Sequence, residues 1–207
     1  GRGDGSHASL GRTFDLRSTN TAIMTYSLWH DIEEGWDYAY VRASGDGGVH
    51  WQPLVGAGMT ELDPLGNALH LGYTGASGAA PSGQPGLGAA SPALVSDEVD
   101  LTPWCGGQVM VQFDYVTDDA VTGDGLCLGR VGVPAINYVA DLSQADGGWR
   151  GEGFAWVQNE VPTRYLVQLV RLGAKELSVE RVPVAEDGRA QAELREEGEW
   201  ERAVLAI

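Results

Sequence analysis

Ala22-Ile23-Met24-Thr25-Tyr26-Ser27-Leu28-Trp29 and, shortly after it, Tyr38-Ala39-Tyr40-Val41-Arg42-Ala43-Ser44 carry the reading of the fold. Both runs alternate between two faces and are rich in aromatic and β-branched residues, the pattern of half-buried strands. Gly45-Asp46-Gly47-Gly48 then reads as a tight turn, and Val49–Leu54 as the returning strand. Downstream, Ala93–Asp100 reads as a short strand, Gln108–Thr117 alternates strongly, and Leu126–Val133 reads as an apolar strand with Gly123-Asp124-Gly125 as the turn before it. Between these blocks, residues 55–92 are dominated by Gly, Ala, Ser and Pro, which predicts a long surface loop or insertion.

Beyond Pro134 further strands are expected at Gly153–Val157, Glu176–Val184, Arg189–Leu194 and Trp200–Ile207, and Arg164–Leu172 fits a helix or a buried strand, with its β-branched content and the nearby Gly173 favouring strand. Helical signals are sparse: Ala190–Glu199 has good helix formers, but Asp187-Gly188 ahead of it reads as a hairpin turn. The expected fold class is therefore all-β, an antiparallel β-domain over residues 1–136 followed by a smaller β-module over 137–207. A module of that length is marginal alone.

Composition supports this and excludes several functions. The 207 residues include 30 glycines and 9 prolines, too many turn formers for a helical bundle. With 13 basic against 29 acidic residues, the formal charge is −16 and the pI about 4.4. Such a surface repels phosphate backbones and anionic headgroups, so no nucleic-acid partner is expected. No apolar run approaches the roughly 20 residues of a membrane-spanning helix, so no membrane insertion is expected. At 43 % hydrophobic residues the chain can build a core and is not a disordered acidic tail. Gly1-Arg2-Gly3-Asp4 opens the chain without an initiator Met, which reads as a segment of a longer precursor. Its Arg-Gly-Asp tripeptide reads as coincidence. Cys105 and Cys127 flank one predicted hairpin and fit either a disulfide or two buried thiols.

Catalytic signatures are missing. There is no HExxH, no GxSxG elbow and no P-loop, and His7, His30, His50 and His70 lie far apart. The chain is expected not to be an enzyme. The chemistry lies instead in the join between the first two strands, Asp31-Ile32-Glu33-Glu34-Gly35-Trp36-Asp37, with four carboxylates in seven residues. Like charges this close repel unless they are solvated or share a cation. Calcium takes six to eight oxygens, largely carboxylates and carbonyls. A second acidic loop, Asp118-Asp119 with Asp124 nearby, follows the strand Gln108–Thr117. If both loops meet at one end of a sandwich they form an oxygen-rich cage; the alternative is a solvated acidic rim. The candidate metal ligands are Glu33, Glu34, Asp37 and Asp118, with Asp31 and Asp119 as second choices, and calcium is the expected ion.

These residues also carry a resemblance. Asp31–Val41, followed by Asp46-Gly47-Gly48 and Trp51, resembles the non-catalytic β-sandwich of immune inhibitor A-like secreted metallopeptidases of the M6 family. Arg12–Leu16 resembles that module's lead strand. Val99-Asp100-Leu101, Gly107-Gln108-Val109, Phe113–Asp118, Asp146–Trp149 and Glu152-Gly153-Phe154 fit as well. The resemblance implies a jelly-roll, MAM-like fold and an accessory module rather than a protease active site. Calcium-binding CUB domains offer a looser likeness, with an acidic residue ahead of an Asp-Tyr strand and an Asp in a later loop. The matching positions are Glu33 or Glu34, Asp37 and Asp118. One departure is Leu128-Gly129-Arg130-Val131, where M6-like modules often carry Asp-Asp-Ile; Arg130 is then expected to add positive charge near the site.

The function expected from the sequence is a secreted, calcium-stabilised, non-catalytic module at the outside of a bacterial cell. It mediates binding of a protein or carbohydrate ligand, or assembly with copies of itself. The alternatives are a self-assembling subunit of a filament or surface layer, and an accessory domain of an active M6 metallopeptidase. Trp29, Trp36, Trp51, Trp104 and Trp149 are the aromatics that would floor a sugar-binding groove.

Overall fold

A computed structural model of the chain describes residues 5–80, 82–86, 91–121, 123–157, 167–173, 177–185, 189, 191–192 and 200–206. It is all-β, with two compact units, Gly1–Asn159 and Glu160–Ile207. Among its described residues the first unit holds nine strands: β1 (His7–Asp15), β2 (Ile23–Asp31), β3 (Tyr38–Ser44), β4 (Gln52–Leu54), β5 (Val95–Asp100), β6 (Gln108–Val116), β7 (Gly125–Val133), β8 (Tyr138–Asp141) and β9 (Arg150–Glu152). They form two antiparallel sheets, ordered β4-β3-β6-β1-β9 and β5-β2-β7-β8, packed as a sandwich.

Alternation builds the core. On β6, Val109, Val111, Phe113 and Tyr115 point between the sheets, and on β2 Met24, Tyr26 and Leu28 do so from the other side. Aromatic rings meet in the core, three of four pairs edge to face and Phe113–Trp149 tilted. Tyr26 meets Phe113 at 5.1 Å, Phe113 meets Trp149 at 5.5 Å, and Phe14 meets both Trp149 at 5.9 Å and Tyr138 at 5.1 Å. Such contacts add to the stabilisation from buried area alone. The Arg12 guanidinium lies 4.3 Å from the centre of the Tyr138 ring, and one of its nitrogens donates to the Gly147 carbonyl.

The boundary falls later than the 136/137 division expected from the sequence. β8 pairs with β7, and β9 pairs with β1, so residues through 152 complete the two sandwich sheets. The strand expected at Gly153–Val157 is not formed: β9 ends just ahead of it at Glu152, and Phe154 packs against the core instead. Residues 55–92 differ from a simple surface loop. Tyr73 is 4 % exposed and bridges to Ala39 of β3, Thr60 bridges to Gly72, and Ala76 bridges to Asp31. One aromatic anchor and a few main-chain bridges therefore hold a segment whose composition hid them.

Among its described residues the second unit holds a three-stranded antiparallel sheet, β11-β10-β12, of β10 (Val167–Gly173), β11 (Leu177–Val182) and β12 (Trp200–Ala206). Val167, Leu169 and Val182 are buried on one face, and Arg171 pairs with Glu180 at 2.7 Å on the same face. Half of the strand expected at Arg189–Leu194 lies outside the described residues, and the described half forms no strand. The Arg-Gly-Asp tripeptide also lies outside the described residues. Among the described residues no helix is long and apolar enough to cross a membrane.

Phe113 touches both Tyr26 and Trp149, so Phe113→Ala leaves a cavity between the sheets. The substitution is expected to lower unfolding free energy by about 3–5 kcal/mol. Urea denaturation checks this: the midpoint should fall with the slope unchanged.

Candidate metal centre

The join between β2 and β3 is a tight turn. The amides of Trp36 and Asp37 both donate to the Glu33 carbonyl, at 3.3 and 2.9 Å, and Gly35 sits at φ +78°, a conformation that favours glycine. This reversal brings the side chains of Glu33 and Asp37 to one side. The chain leaving β6 meets them there. The Asp118 amide donates to Asp37 Oδ1 at 3.1 Å, and the Tyr115 hydroxyl donates to Asp37 Oδ2 at 2.9 Å. Farther along the same loop, a Cβ on Gly123 would collide with the Asp31 carbonyl oxygen, so only glycine permits this approach.

Glu33, Asp37 and Asp118 thus converge, each offering one carboxylate oxygen, and these oxygens all lie within 4.8 Å of one another. Two oxygens bound to one calcium ion at about 2.4 Å are at most about 4.8 Å apart. Asp37 is fully buried and Glu33 is 7 % exposed. Glu33 Oε2 is buried with no hydrogen-bond partner. Among the described residues no Lys, Arg or His forms an ion pair with any of the three. Burial holds the Glu33 carboxyl above its usual range, and the charges of Asp118 and Asp37 add to the effect. Burial also raises Asp37, against the opposing hydrogen bonds from the Asp118 amide and Tyr115. Two buried carboxylates and a half-buried one, with no ion-pair partner among the described residues, make the environment a hard divalent ion neutralises.

The other sequence candidates lie elsewhere. Glu34 turns to the opposite side, where its Oε1 accepts from the Gly83 amide at 2.6 Å and the Ser82 hydroxyl at 3.0 Å. Adjacent residues on extended backbone diverge, so Glu33 and Glu34 do not join the same group. Asp31 is half-buried at the end of β2, paired through its backbone with Gly125 and Ala76. Asp119 is exposed beside Asp118. Arg130 stands opposite Asp141 across β7 and β8, and its charge helps lower that carboxyl. Asp114, within the second acidic stretch, is already satisfied: Arg42 Nε lies 2.5 Å from its Oδ2, and Gln112 and His7 reach its Oδ1.

Tyr115 and the Asp118 amide are supports that the sequence reading missed. The signal was present, because Tyr115 shares the inward parity of Val111 and Phe113 on β6. The tryptophans have separate surroundings. Trp149 is buried in the core, Trp104 packs against it, and Trp51 lies over Arg42 at 4.5 Å. Cys105 is half-buried and accepts from the Thr19 hydroxyl, whereas Cys127 is exposed on β7.

Comparison with known proteins places this geometry in a family. The chain is similar to the pre-pro-metalloprotease PrtV of two Vibrio cholerae serotype O1 strains, M66-2 and ATCC 39315 / El Tor Inaba N16961. Each is 25 % identical over 155 residues, covering 74 % of this chain and 15 % of the relative. The chain therefore spans about a seventh of those relatives' length. The family model for the MAM domain of immune inhibitor A-like proteins matches residues 1–156, all but the last few residues of the sandwich unit. The chain belongs to the immune inhibitor A-like MAM domain family.

Proposed function

We propose that this chain is a secreted, non-catalytic accessory module of a metalloprotease precursor, stabilised by calcium bound to Glu33, Asp37 and Asp118, and that it mediates binding or assembly outside the cell. The observation that carries the calcium reading is Glu33 Oε2, buried without a partner beside two further carboxylates. The all-oxygen donor set suits calcium rather than zinc, which prefers nitrogen and sulfur. Secretion is supported by the relatives, which are pre-pro-metalloproteases. The accessory role is supported by the family match, since a MAM domain is a non-catalytic type of module. The partner is a protein or carbohydrate ligand, or a further copy of the chain.

The ion's role is to join the β2–β3 turn to the loop after β6 and to cancel their mutual repulsion. Calcium at a hundred times its Kd would add about 2.7 kcal/mol. For a domain of this size that raises Tm by about 5–10 °C. Thermal melts in calcium and in EDTA check this, and coincident curves reject calcium binding. Glu33→Gln removes one buried charge from the group. In EDTA at pH 7 it is expected to match or exceed the parent's Tm, while the rise on adding calcium is lost.

The pH dependence follows from the same two groups. Glu33 and Asp37 hold protons more tightly folded than unfolded. Between the unfolded and the folded pKa the native state binds more protons, so these groups make stability fall as pH rises through that window. Without calcium, their contribution is expected to favour the folded chain as pH is lowered from neutrality toward the ordinary carboxylate range. Calcium competes with those protons, so its Kd should weaken over the same interval; melts in EDTA at several pH values measure the first trend, and calorimetric calcium titrations the second. Size-exclusion chromatography in calcium separates a monomeric binding module from a self-assembling subunit.

A further inference from the structure

The main chain around Glu33 is held by the Gly-rich insert rather than by the sandwich sheets. The Ile32 amide donates to the Gly75 carbonyl at 3.1 Å, and the Thr74 hydroxyl donates to the Glu33 carbonyl at 3.2 Å. The Gly35 amide donates back to that hydroxyl at 2.9 Å. Glu34 and Gly86 exchange two main-chain hydrogen bonds, each of 2.9 Å. The Glu34 carboxylate closes the clamp on Ser82 and Gly83. The two neighbouring glutamates thus have opposite attachments: Glu34 is fastened to the insert, and Glu33 is left to face Asp37 and Asp118.

We propose that the insert governs the affinity of the metal centre and that Glu34 is the positioning residue through which it does so. This rests on the calcium reading above. An ion binds tightly only where its ligands are already held near the bound geometry, and partners one step removed from the ion set that geometry. With Glu34 fastened, the backbone of Glu33 is held in place, so its side chain leaves the turn from a fixed point on the side of Asp37 and Asp118. With Glu34 released, the Asp37 amide, which donates to the Glu33 carbonyl at 2.9 Å, belongs to a looser turn.

The test compares Glu34→Ala with Glu34→Gln in the whole chain. Glutamine keeps the acceptor oxygen for Ser82 and Gly83 but removes the charge; alanine removes both. Calorimetric titration with calcium chloride is expected to show about a tenfold loss of affinity for alanine and near-parental affinity for glutamine. Equal losses in both variants would assign the effect to long-range charge and overturn the proposal, as would an unchanged affinity in the alanine variant. Hydrogen exchange in EDTA supplies the readout that needs no metal. The Asp37 amide should exchange faster in Glu34→Ala than in the parent, while the amides of β6 stay protected. If the parent itself binds no calcium, the calcium reading fails, and unchanged Asp37 exchange in the alanine variant then separately overturns the clamp. Should Glu34→Ala not fold, Ser82→Ala is expected to shift affinity and exchange in the same direction to a smaller degree; no shift in either overturns the proposal.

Discussion

In an extended chain, successive side chains leave the backbone on opposite sides, and this two-residue alternation organises the molecule from its core to its acidic rim. It places Val109, Val111, Phe113 and Tyr115 between the sheets, and leaves Met110, Gln112 and Asp114 on the outer face of β6. The same rule parts Glu33 from Glu34. One glutamate enters a group of carboxylates, and the other holds a loop. Tyr115 belongs to both regions, with its ring in the core and its hydroxyl on Asp37.

Acidic side chains in this protein are satisfied in different ways, and the contrast defines the metal centre. Asp114 is buried against Arg42, Gln112 and His7. Asp97 accepts from the Tyr73 hydroxyl at 2.6 Å and from the amides of Ala57 and Gly58. Exposed Asp15 is held at a pKa of about 2 by Arg17. In each case protein donors replace the water lost on burial or add to it. Glu33 is different, because one of its oxygens is enclosed without a donor while two more carboxylates stand beside it. Burial without compensation is costly for a charged group, so the group takes up either a proton or a cation.

The insert between β4 and β5 links these themes. Its small residues allow close approach to the β2–β3 turn, and Tyr73 fixes it to the core through the hydroxyl of Tyr26 at 2.7 Å. A segment poor in apolar residues is thereby ordered through main-chain bridges and a few polar anchors. The acidic turn consequently has the loop after β6 on one side and the insert on the other.

β2, β3 and β6, whose sequences alternate, were legible because the period of two is local information, and β7 was legible as an apolar run behind a Gly-Asp-Gly turn. So was the presence of an acidic turn between β2 and β3. The short strands β8 and β9 were not, because three or four residues carry too little pattern and are defined by the strands they pair with. Sequence proximity nominated Asp31, Glu33, Glu34, Asp37, Asp118 and Asp119 together, but it contains no direction. Only the tertiary structure brought Glu33, Asp37 and Asp118 within reach of one point, by closing β6 against β3 and turning Glu34 toward the insert. Charge density along a chain is a property of the sequence. The side on which each charge emerges, and which distant charge it meets, is set by strand pairing and by the steric limits at the turns.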